Sequence, residues 1–362
     1  GQMVGMAPSR RVTMMAGGTG GHVFPALAVA SALRERGHEV SWIGTAKGLE
    51  ARVVPDNGFA LDVVQVRGLR SSGLARLLAA PLVVTRAMWQ AAGILRRRRP
   101  DLVVGMGGFA TGPGGVVARL LGLPLVVHEQ NAVPGLTNRI LSRLATRVLC
   151  AFPGTFAGRA VVTGNPVRPE IASLPAPEDR FGQRGGLPLR ILVMGGSLGA
   201  AALNELVPQA IATLAGGARP EVRHQAGRGK ADAARAAYDR AAVSAEVSEF
   251  IDDVAEALAW ADLVICRAGA LTISELAAAG VGAVLVPYPY AVDDHQTANA
   301  GVLSQAGAAV VMQQQDLTPA SLANWLTARD RPALLEMARQ ARACALPEAT
   351  QRVAAICEEV MA

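Results

Sequence analysis

Short apolar runs alternate with helical patterns along the whole chain. Val12–Ala16 (VTMMA) is apolar throughout and ends in Gly17-Gly18-Thr19-Gly20-Gly21-His22. Behind this turn, Leu27, Ala28, Ala30, Ala32 and Leu33 recur at helical spacing until Gly37, and His38–Ile43 alternates as a second strand. Leu102–Val104 and Leu125–Val127 have no polar face, as expected of strands covered on both sides in a parallel sheet. Between them, Gly105–Gly115 predicts a glycine-rich loop before a short helix, Gly115–Leu121. The plan restarts near residue 190. Arg190–Met194 predicts a strand, Gly195–Gly199 a turn and Ala200–Leu214 a helix. Leu263–Cys266 and Ala283–Val286 are later strands, and helix Leu271–Ala279 between them is closed by Gly280. Ser173–Gly186 predicts a surface loop, and Pro332–Met361 a final amphipathic helical stretch.

Strand, glycine turn, helix and strand, occurring twice, predict an α/β chain of two doubly wound, Rossmann-like parallel-sheet domains. The joint falls at Gly164-Asn165-Pro166-Val167-Arg168-Pro169, where two prolines stiffen the crossing. The expected division is 9–166, 167–340 and a terminal helix 341–362 packing back on the N-terminal domain. Ligands of such sheets bind at the carboxyl ends of the strands, so the two glycine turns are expected to face each other across a cleft.

Composition supports two ordinary domains. The 362 residues are 51% hydrophobic and 18% charged, which excludes extensive disorder. Glycine is abundant (39 residues) while aromatics make up only 4%, so backbone turns matter. Cys150, Cys266, Cys344 and Cys357 are far apart, which argues against a disulfide scaffold or a structural zinc and favours a reducing compartment. Gly1–Arg10 lacks a basic-then-apolar signal pattern. The longest uncharged runs are interrupted, Leu77–Leu95 by Pro81 and Arg86, so the chain is expected to be soluble or to rest on a membrane without crossing it.

Charge is unevenly placed. Up to Pro166 there are 19 Lys and Arg against 7 Asp and Glu, net +12; the remainder has 16 against 22, net −6. A basic half joined to an acidic half points to an anionic surface as partner of the first. Nucleic acid is disfavoured because few aromatics accompany the arginines. The glycine turns alone are weak signals. Neither is a P-loop, GGTGGH does not satisfy G-x-G-x-x-G, and Thr45-Ala46-Lys47 stands where a dinucleotide site has an acidic ribose ligand.

Together the motifs are specific. Gly17–Ala30 (GGTGGHVFPALAVA), Gly105–Gly115 (GMGGFATGPGG), His128–Arg139 (HEQNAVPGLTNR), Gly164–Arg168 (GNPVR), Gly195–Ala200 (GGSLGA), Phe250–Asp253 (FIDD) and Cys266–Gly280 (CRAGALTISELAAAG) occur in this order over nearly the whole chain. The chain thereby resembles the bacterial GT-B glycosyltransferases that move N-acetylglucosamine from UDP onto undecaprenyl-pyrophosphoryl-N-acetylmuramyl-pentapeptide. The resemblance implies UDP-GlcNAc as donor, no required cofactor, an undecaprenyl-linked acceptor and a peripheral place on the cytoplasmic face of the plasma membrane. A UDP-sugar epimerase of similar architecture and a non-catalytic UDP-sugar-binding membrane protein are the alternatives.

The donor diphosphate needs its charge neutralised so that UDP can leave. Ser197, Leu198 and Gly199, with Ala270, Leu271 and Thr272 at a second helix start, offer amides, and Arg168 offers a bidentate contact. Asp252-Asp253 and Asp293-Asp294 lack a third metal ligand, and capping or loop roles are expected for them. The resemblance implies that Glu275 takes the ribose hydroxyls, Ile251 the uracil edge, and His295 and Gln296 the transferred sugar. It also extends donor contacts to Thr19, Gly20, Gly21 and Asn131. The family pattern often has two adjacent glutamines where this chain has His295-Gln296, and tyrosine where it has Phe109.

Inversion at the anomeric carbon calls for a base at the acceptor 4-hydroxyl. His22, at a helix start that disfavours its protonated form, is the candidate, the competing role being a contact to backbone or acceptor diphosphate. Glu129 and His128 are alternative bases. Gly18, Gly107, Gly108 and His128 are expected around the acceptor diphosphate. Leu78, Leu82 and Trp89 within Leu74–Leu95, followed by Arg96 and Arg97 of four consecutive arginines, suit a membrane surface; the alternative is a core stripe with a basic helix cap. His38 and His224 lack such context and are expected at the surface.

Overall fold

The computed structural model describes residues 8–66, 73–196 and 199–362, so Ser197 and Leu198 lie outside the described residues. The chain forms two compact units, one of residues up to Arg168 together with Pro347–Ala362, the other Pro169–Leu346.

The first unit holds a seven-stranded sheet of β1 (Arg11–Met15), β2 (Glu39–Gly44), β3 (Ala60–Val63), β4 (Leu102–Gly105), β5 (Leu125–Glu129), β6 (Arg147–Cys150) and β7 (Val161–Val162). Its order is β3-β2-β1-β4-β5-β6-β7, and every pairing is parallel. Helices α1 (Gly20–Glu35), α2 (Glu50–Asp56), α3 (Leu74–Arg98), α4 (Thr111–Leu120) and α5 (Leu136–Leu141) connect the strands. The second unit has six parallel strands, β8 (Arg190–Met194), β9 (Glu221–Gln225), β10 (Glu246–Ser248), β11 (Leu263–Cys266), β12 (Gly282–Leu285) and β13 (Ala309–Val311), in the order β10-β9-β8-β11-β12-β13. Its helices are α6 (Pro169–Ala172), α7 (Pro177–Phe181), α8 (Ala201–Ala212), α9 (Ala231–Arg240), α10 (Val254–Trp260), α11 (Ala270–Ala279), α12 (His295–Ser304), α13 (Pro319–Thr327) and α14 (Arg331–Ala343). The last helix, α15 (Ala349–Met361), returns to the first unit and places Val353, Ala354, Cys357 and Met361 in a core with Ala26, Ala30 and Leu33 of α1.

In both sheets the order reverses beside the first strand, between β1 and β4 and between β8 and β11. The loops leaving such neighbours diverge to opposite faces, which opens a crevice at the carboxyl ends of the strands. The strands lining these points are buried almost throughout, so the crevices rest on rigid floors.

Several elements depart from the sequence expectation. α4 begins at Thr111 and absorbs glycines expected in a loop, because only small residues let it approach its neighbours. A Cβ on Gly114 would lie 2.3 Å from Met15 Sδ, and one on Gly115 2.9 Å from Leu141. Residues 173–186 are not a surface loop. They include α7, with Phe181 in the core, and the buried Arg180 donates to the carbonyls of Ala279 (2.7 Å) and Gly280 (2.6 Å) at the end of α11. Pro332–Met361 is two helices belonging to different units. Pro81 does not break α3, because near the start of a 25-residue helix it removes only one backbone hydrogen bond.

His38 and His224 are buried rather than exposed. His38 Nδ1 accepts the Arg10 N–H (3.1 Å) and its Nε2–H donates to Glu358 on α15 (2.9 Å). His224 lies between Tyr238 Oη (2.6 Å) and Asn204 Oδ1 (2.7 Å), and burial lowers its pKa to about 4, so it is a neutral core imidazole.

Candidate active site

In the first unit the site grows from two glycine segments that support each other. Gly17 N–H donates to Gly107 O (3.1 Å), and Gly107 and Gly108 have φ of +113° and +96°, a region where side chains are strained. A Cβ on Gly108 would meet Gly17 O at 2.6 Å, so the two backbones are in direct contact. Thr111 secures the second loop by accepting from Gly107 N (3.2 Å), with Met15 O and Gly107 O as acceptors for its hydroxyl (3.2 and 3.0 Å).

His22 lies in the first turn of α1 with its ring against Gly107, where a Cβ would approach Cδ2 to 2.5 Å. Its Nδ1 is 3.2 Å from Gly17 O. A carbonyl only accepts, so Nδ1 carries the proton and Nε2 of the neutral ring keeps a lone pair, the arrangement a general base requires. Thr19 at the N-cap makes no side-chain cap bond, so it leaves the first amides of α1, at Gly20 and Gly21, uncapped. The Arg168 guanidinium carbon lies 6.0 Å from the centre of the Phe24 ring, which itself packs on Gly20.

Three expected acceptor groups of this unit are engaged elsewhere. Gly18 N–H is not open to a phosphate, because it donates to both carboxylate oxygens of Glu50 (3.3 and 3.2 Å). His128 is wholly buried; its Nε2–H donates to Gly164 O (2.9 Å), and burial lowers its pKa to about 4, so it is a neutral structural donor and not a base. Glu129 accepts Gly135 N–H (2.9 Å) on one oxygen and Asn131 N–H (3.3 Å) on the other, so it shapes the 131–135 loop that begins at Asn131. Gln130, absent from the expected site, donates to Met106 O (2.8 Å) and holds the strand end beside Gly107.

In the second unit the turn after β8 closes on itself. Gly195 N–H donates to Gln225 O, Gly196 N–H to Gln225 Oε1 (3.0 Å), and Gly199 N–H to Gly196 O (2.9 Å). Gly199 is therefore not an available amide, because its N–H is already taken by Gly196 O. Gln225 also donates to Gly196 O (2.7 Å) and Glu249 O (2.9 Å) and was not foreseen as the pivot of this loop.

The start of α11 is open. Gly269 caps it without a side chain, and the amides of Ala270, Leu271 and Thr272 precede the first intrahelical donor, Ile273. Glu275 is buried one turn further along. Gln296 Oε1 accepts the N–H groups of Ala268 (3.1 Å) and Tyr288 (2.8 Å), so it fixes the approach to α11. Asn299, fully buried, donates to Ala268 O (3.1 Å). His295 opens α12 behind Asp293 and Asp294, both left-handed with φ near +50°. Arg267 follows β11, its guanidinium carbon 5.7 Å from the Tyr288 ring centre, and burial lowers its pKa. Ile251 is half-buried next to an exposed Phe250. Asp253 caps α10 through Glu256 N–H (3.0 Å), and Asp294 accepts from Thr297 (2.6 Å). Among the described residues no three His, Cys, Asp or Glu side chains converge as a metal site.

On α3, Leu78, Leu82 and Trp89 are exposed, Trp89 at 84%, whereas Val83, Ala87, Ala91, Ile94 and Leu95 are buried. Among the described residues this is the one helix long and apolar enough to cross a membrane. The arginine run is divided in use. Arg98 and Arg97 pair with Asp62 (2.8 and 3.1 Å), Arg99 is the left-handed C-cap, and Arg96 is exposed.

Residues 12–150 match the glycosyltransferase family 28 N-terminal domain and residues 190–356 the glycosyltransferase family 28 C-terminal domain. The UDP-N-acetylglucosamine–N-acetylmuramyl-(pentapeptide) pyrophosphoryl-undecaprenol N-acetylglucosamine transferase of Cupriavidus necator is 57% identical over 355 residues, 98% of this chain and 99% of that protein. The protein of the same name from Marinobacter nauticus is 55% identical, covering 98% of each chain. The crystal structure of Acinetobacter baumannii MurG is 45% identical with a TM-score of 0.87, over 97% of this chain and all of that one.

Proposed function

This chain belongs to glycosyltransferase family 28, and from that premise we propose that it transfers N-acetylglucosamine from UDP-GlcNAc, with inversion, to the 4-hydroxyl of undecaprenyl-pyrophosphoryl-MurNAc-pentapeptide (lipid I), giving lipid II for peptidoglycan synthesis. The observation that carries this reading is identity above 50%, over both units, to relatives bearing that activity in their names. The groups described in each unit support the following chemistry. His22 Nε2 takes the proton of the acceptor 4-hydroxyl as that oxygen attacks the anomeric carbon. The bond from that carbon to the diphosphate breaks, and UDP leaves with its added charge on the amides of Ala270, Leu271 and Thr272. Glu275 holds the ribose, and Gln296 presents its NH2 group to the sugar.

Incubation with UDP-GlcNAc and a lipid-linked muramyl-pentapeptide is expected to release UDP and form a β-linked disaccharide. An isomeric nucleotide sugar formed from UDP-GlcNAc alone would indicate an epimerase, and nucleotide binding without turnover a non-catalytic protein. Glu275→Ala is expected to weaken UDP binding by about tenfold, the loss of a charged hydrogen bond of 1.5 kcal/mol or so, with little change for the acceptor. Calorimetric titration checks this, and the opposite order would displace the donor site.

The lipid-linked acceptor requires a membrane, and α3 is the surface that meets it, lying on the cytoplasmic leaflet as a peripheral contact. The helix cannot leave the fold to span the bilayer without uncovering Val83, Ala87, Ala91, Ile94 and Leu95, so it lies flat with Leu78, Leu82 and Trp89 outward. Arg96 and Arg97 add attraction to anionic lipid of about 1 kcal/mol each. Replacing both with glutamine is expected to weaken binding to phosphatidylglycerol vesicles roughly thirtyfold at low salt, converging with the parent at high salt. Unchanged sedimentation with vesicles would refute the surface.

A further inference from the structure

Beneath the first glycine turn lies a carboxylate that the reaction as described does not use. Glu50, in the first turn of α2, is 0% exposed, and among the described residues it forms no ion pair with Arg or Lys. An unpaired buried carboxylate is costly, so its place needs a reason. The chain is shaped to hold it. A Cβ on Gly17 would come within 1.6 Å of Oε2, one on Gly48 within 1.6 Å of Oε1, and one on Gly44 within 2.6 Å of Cγ. Both oxygens accept the N–H of Gly18 (3.3 and 3.2 Å).

That N–H belongs to the same peptide group as the Gly17 carbonyl, whose oxygen is 3.2 Å from His22 Nδ1. Carboxylate, peptide and imidazole thus form one chain of hydrogen bonds. The carboxylate polarises the peptide, and the peptide presents a more negative oxygen to the ring. We propose that Glu50 is a positioning residue for His22, acting through the Gly17–Gly18 peptide to hold Nδ1–H in place and to stabilise the imidazolium formed when Nε2 accepts a proton. Glu50 is wholly buried, so it acts only through the peptide, and no proton leaves it. Burial raises the Glu50 pKa above the ordinary carboxylate value, opposed by the amides of Gly18, Glu50 and Thr45 and, least, by His22.

The inference rests on the reading of His22 as base, and a double-mutant cycle separates the two. Single-turnover transfer from UDP-GlcNAc to the lipid-linked acceptor is measured for the parent, Glu50→Gln, His22→Ala and the double variant. Glu50→Gln is expected to lower the rate of the chemical step about tenfold, with both KM values within about twofold of the parent. In the His22→Ala background the same change is expected to cost less than about twofold. Equal losses in both backgrounds, or a raised acceptor KM with an unchanged rate, would show a merely structural carboxylate and overturn the proposal. Full activity of His22→Ala alone would instead overturn the base assignment. Where Glu50→Gln does not fold, Glu50→Asp carries the same cycle, its shorter reach lengthening the contact to Gly18 while keeping the charge.

Discussion

Replacing His22 with alanine is expected to slow the chemical step by about 10²- to 10³-fold, the usual contribution of a positioned general base. Single-turnover rapid quench measures this directly, and affinity for UDP-GlcNAc is expected to stay within a few-fold of the parent. The expectation follows from the ring's setting. Gly107 supplies a flat backbone surface that no other residue could provide, and the Gly17 carbonyl selects the tautomer with Nε2 unprotonated. A rate within threefold of the parent, in a variant of unchanged thermal midpoint, would remove His22 from the chemistry.

The largest effect on stability is expected in the second unit. Asp262 is fully buried just before β11, where Oδ1 accepts from Arg184 (2.6 Å) and Oδ2 from Arg331 (3.0 Å) and Arg190 N–H (2.9 Å). These contacts join the 184–190 segment, the start of β11 and the first residue of α14. Asp262→Ala leaves two arginines, one of them buried, with carbonyl partners but without this countercharge, and breaking a buried pair in this way costs about 3–5 kcal/mol. For a unit of this size the loss corresponds to a fall of about 10 °C in its unfolding midpoint. Thermal denaturation followed by circular dichroism checks it, and a fall below about 3 °C would mean that the arginines find other acceptors. Burial lowers the Arg184 pKa, whereas its contact with Asp262 raises it, so the carboxylate is what keeps that guanidinium tolerable in the core.

What was legible in the sequence is what depends on local pattern. The buried strands were clear because both faces are apolar, as in Leu102–Val104 and Leu263–Cys266. The open helix start at Ala270 was clear because a glycine precedes a strong helical run. The departures arise where tertiary contact decides. Gly112, Gly114 and Gly115 read as a loop by propensity, but the closeness of Met15 and Leu141 makes them helix. Gly18 and Gly199 look like phosphate amides in one dimension, and only the fold shows that Glu50 and Gly196 already occupy them. Glu50 carries no mark of its own in the sequence, since it follows Thr45-Ala46-Lys47 outside any recognisable motif. The signal was present nearby, in two glycines, Gly44 and Gly48, placed on either side of the space a carboxylate fills. His38 and His224 misled because a lone histidine in a polar stretch carries no mark of the partner that buries it.

The return of α15 to the first unit bears on how the molecule is made. Val353, Ala354, Cys357 and Met361 complete a core whose other members, such as Ala26, Ala30 and Leu33, leave the ribosome more than three hundred residues earlier. The amino-terminal unit therefore cannot close during synthesis in the usual amino-to-carboxyl succession, and its apolar flank stays uncovered until α15 has been made. A released chain truncated just before Pro347 should hold a finished second unit beside an unfinished first, and chaperones meeting it would find that flank.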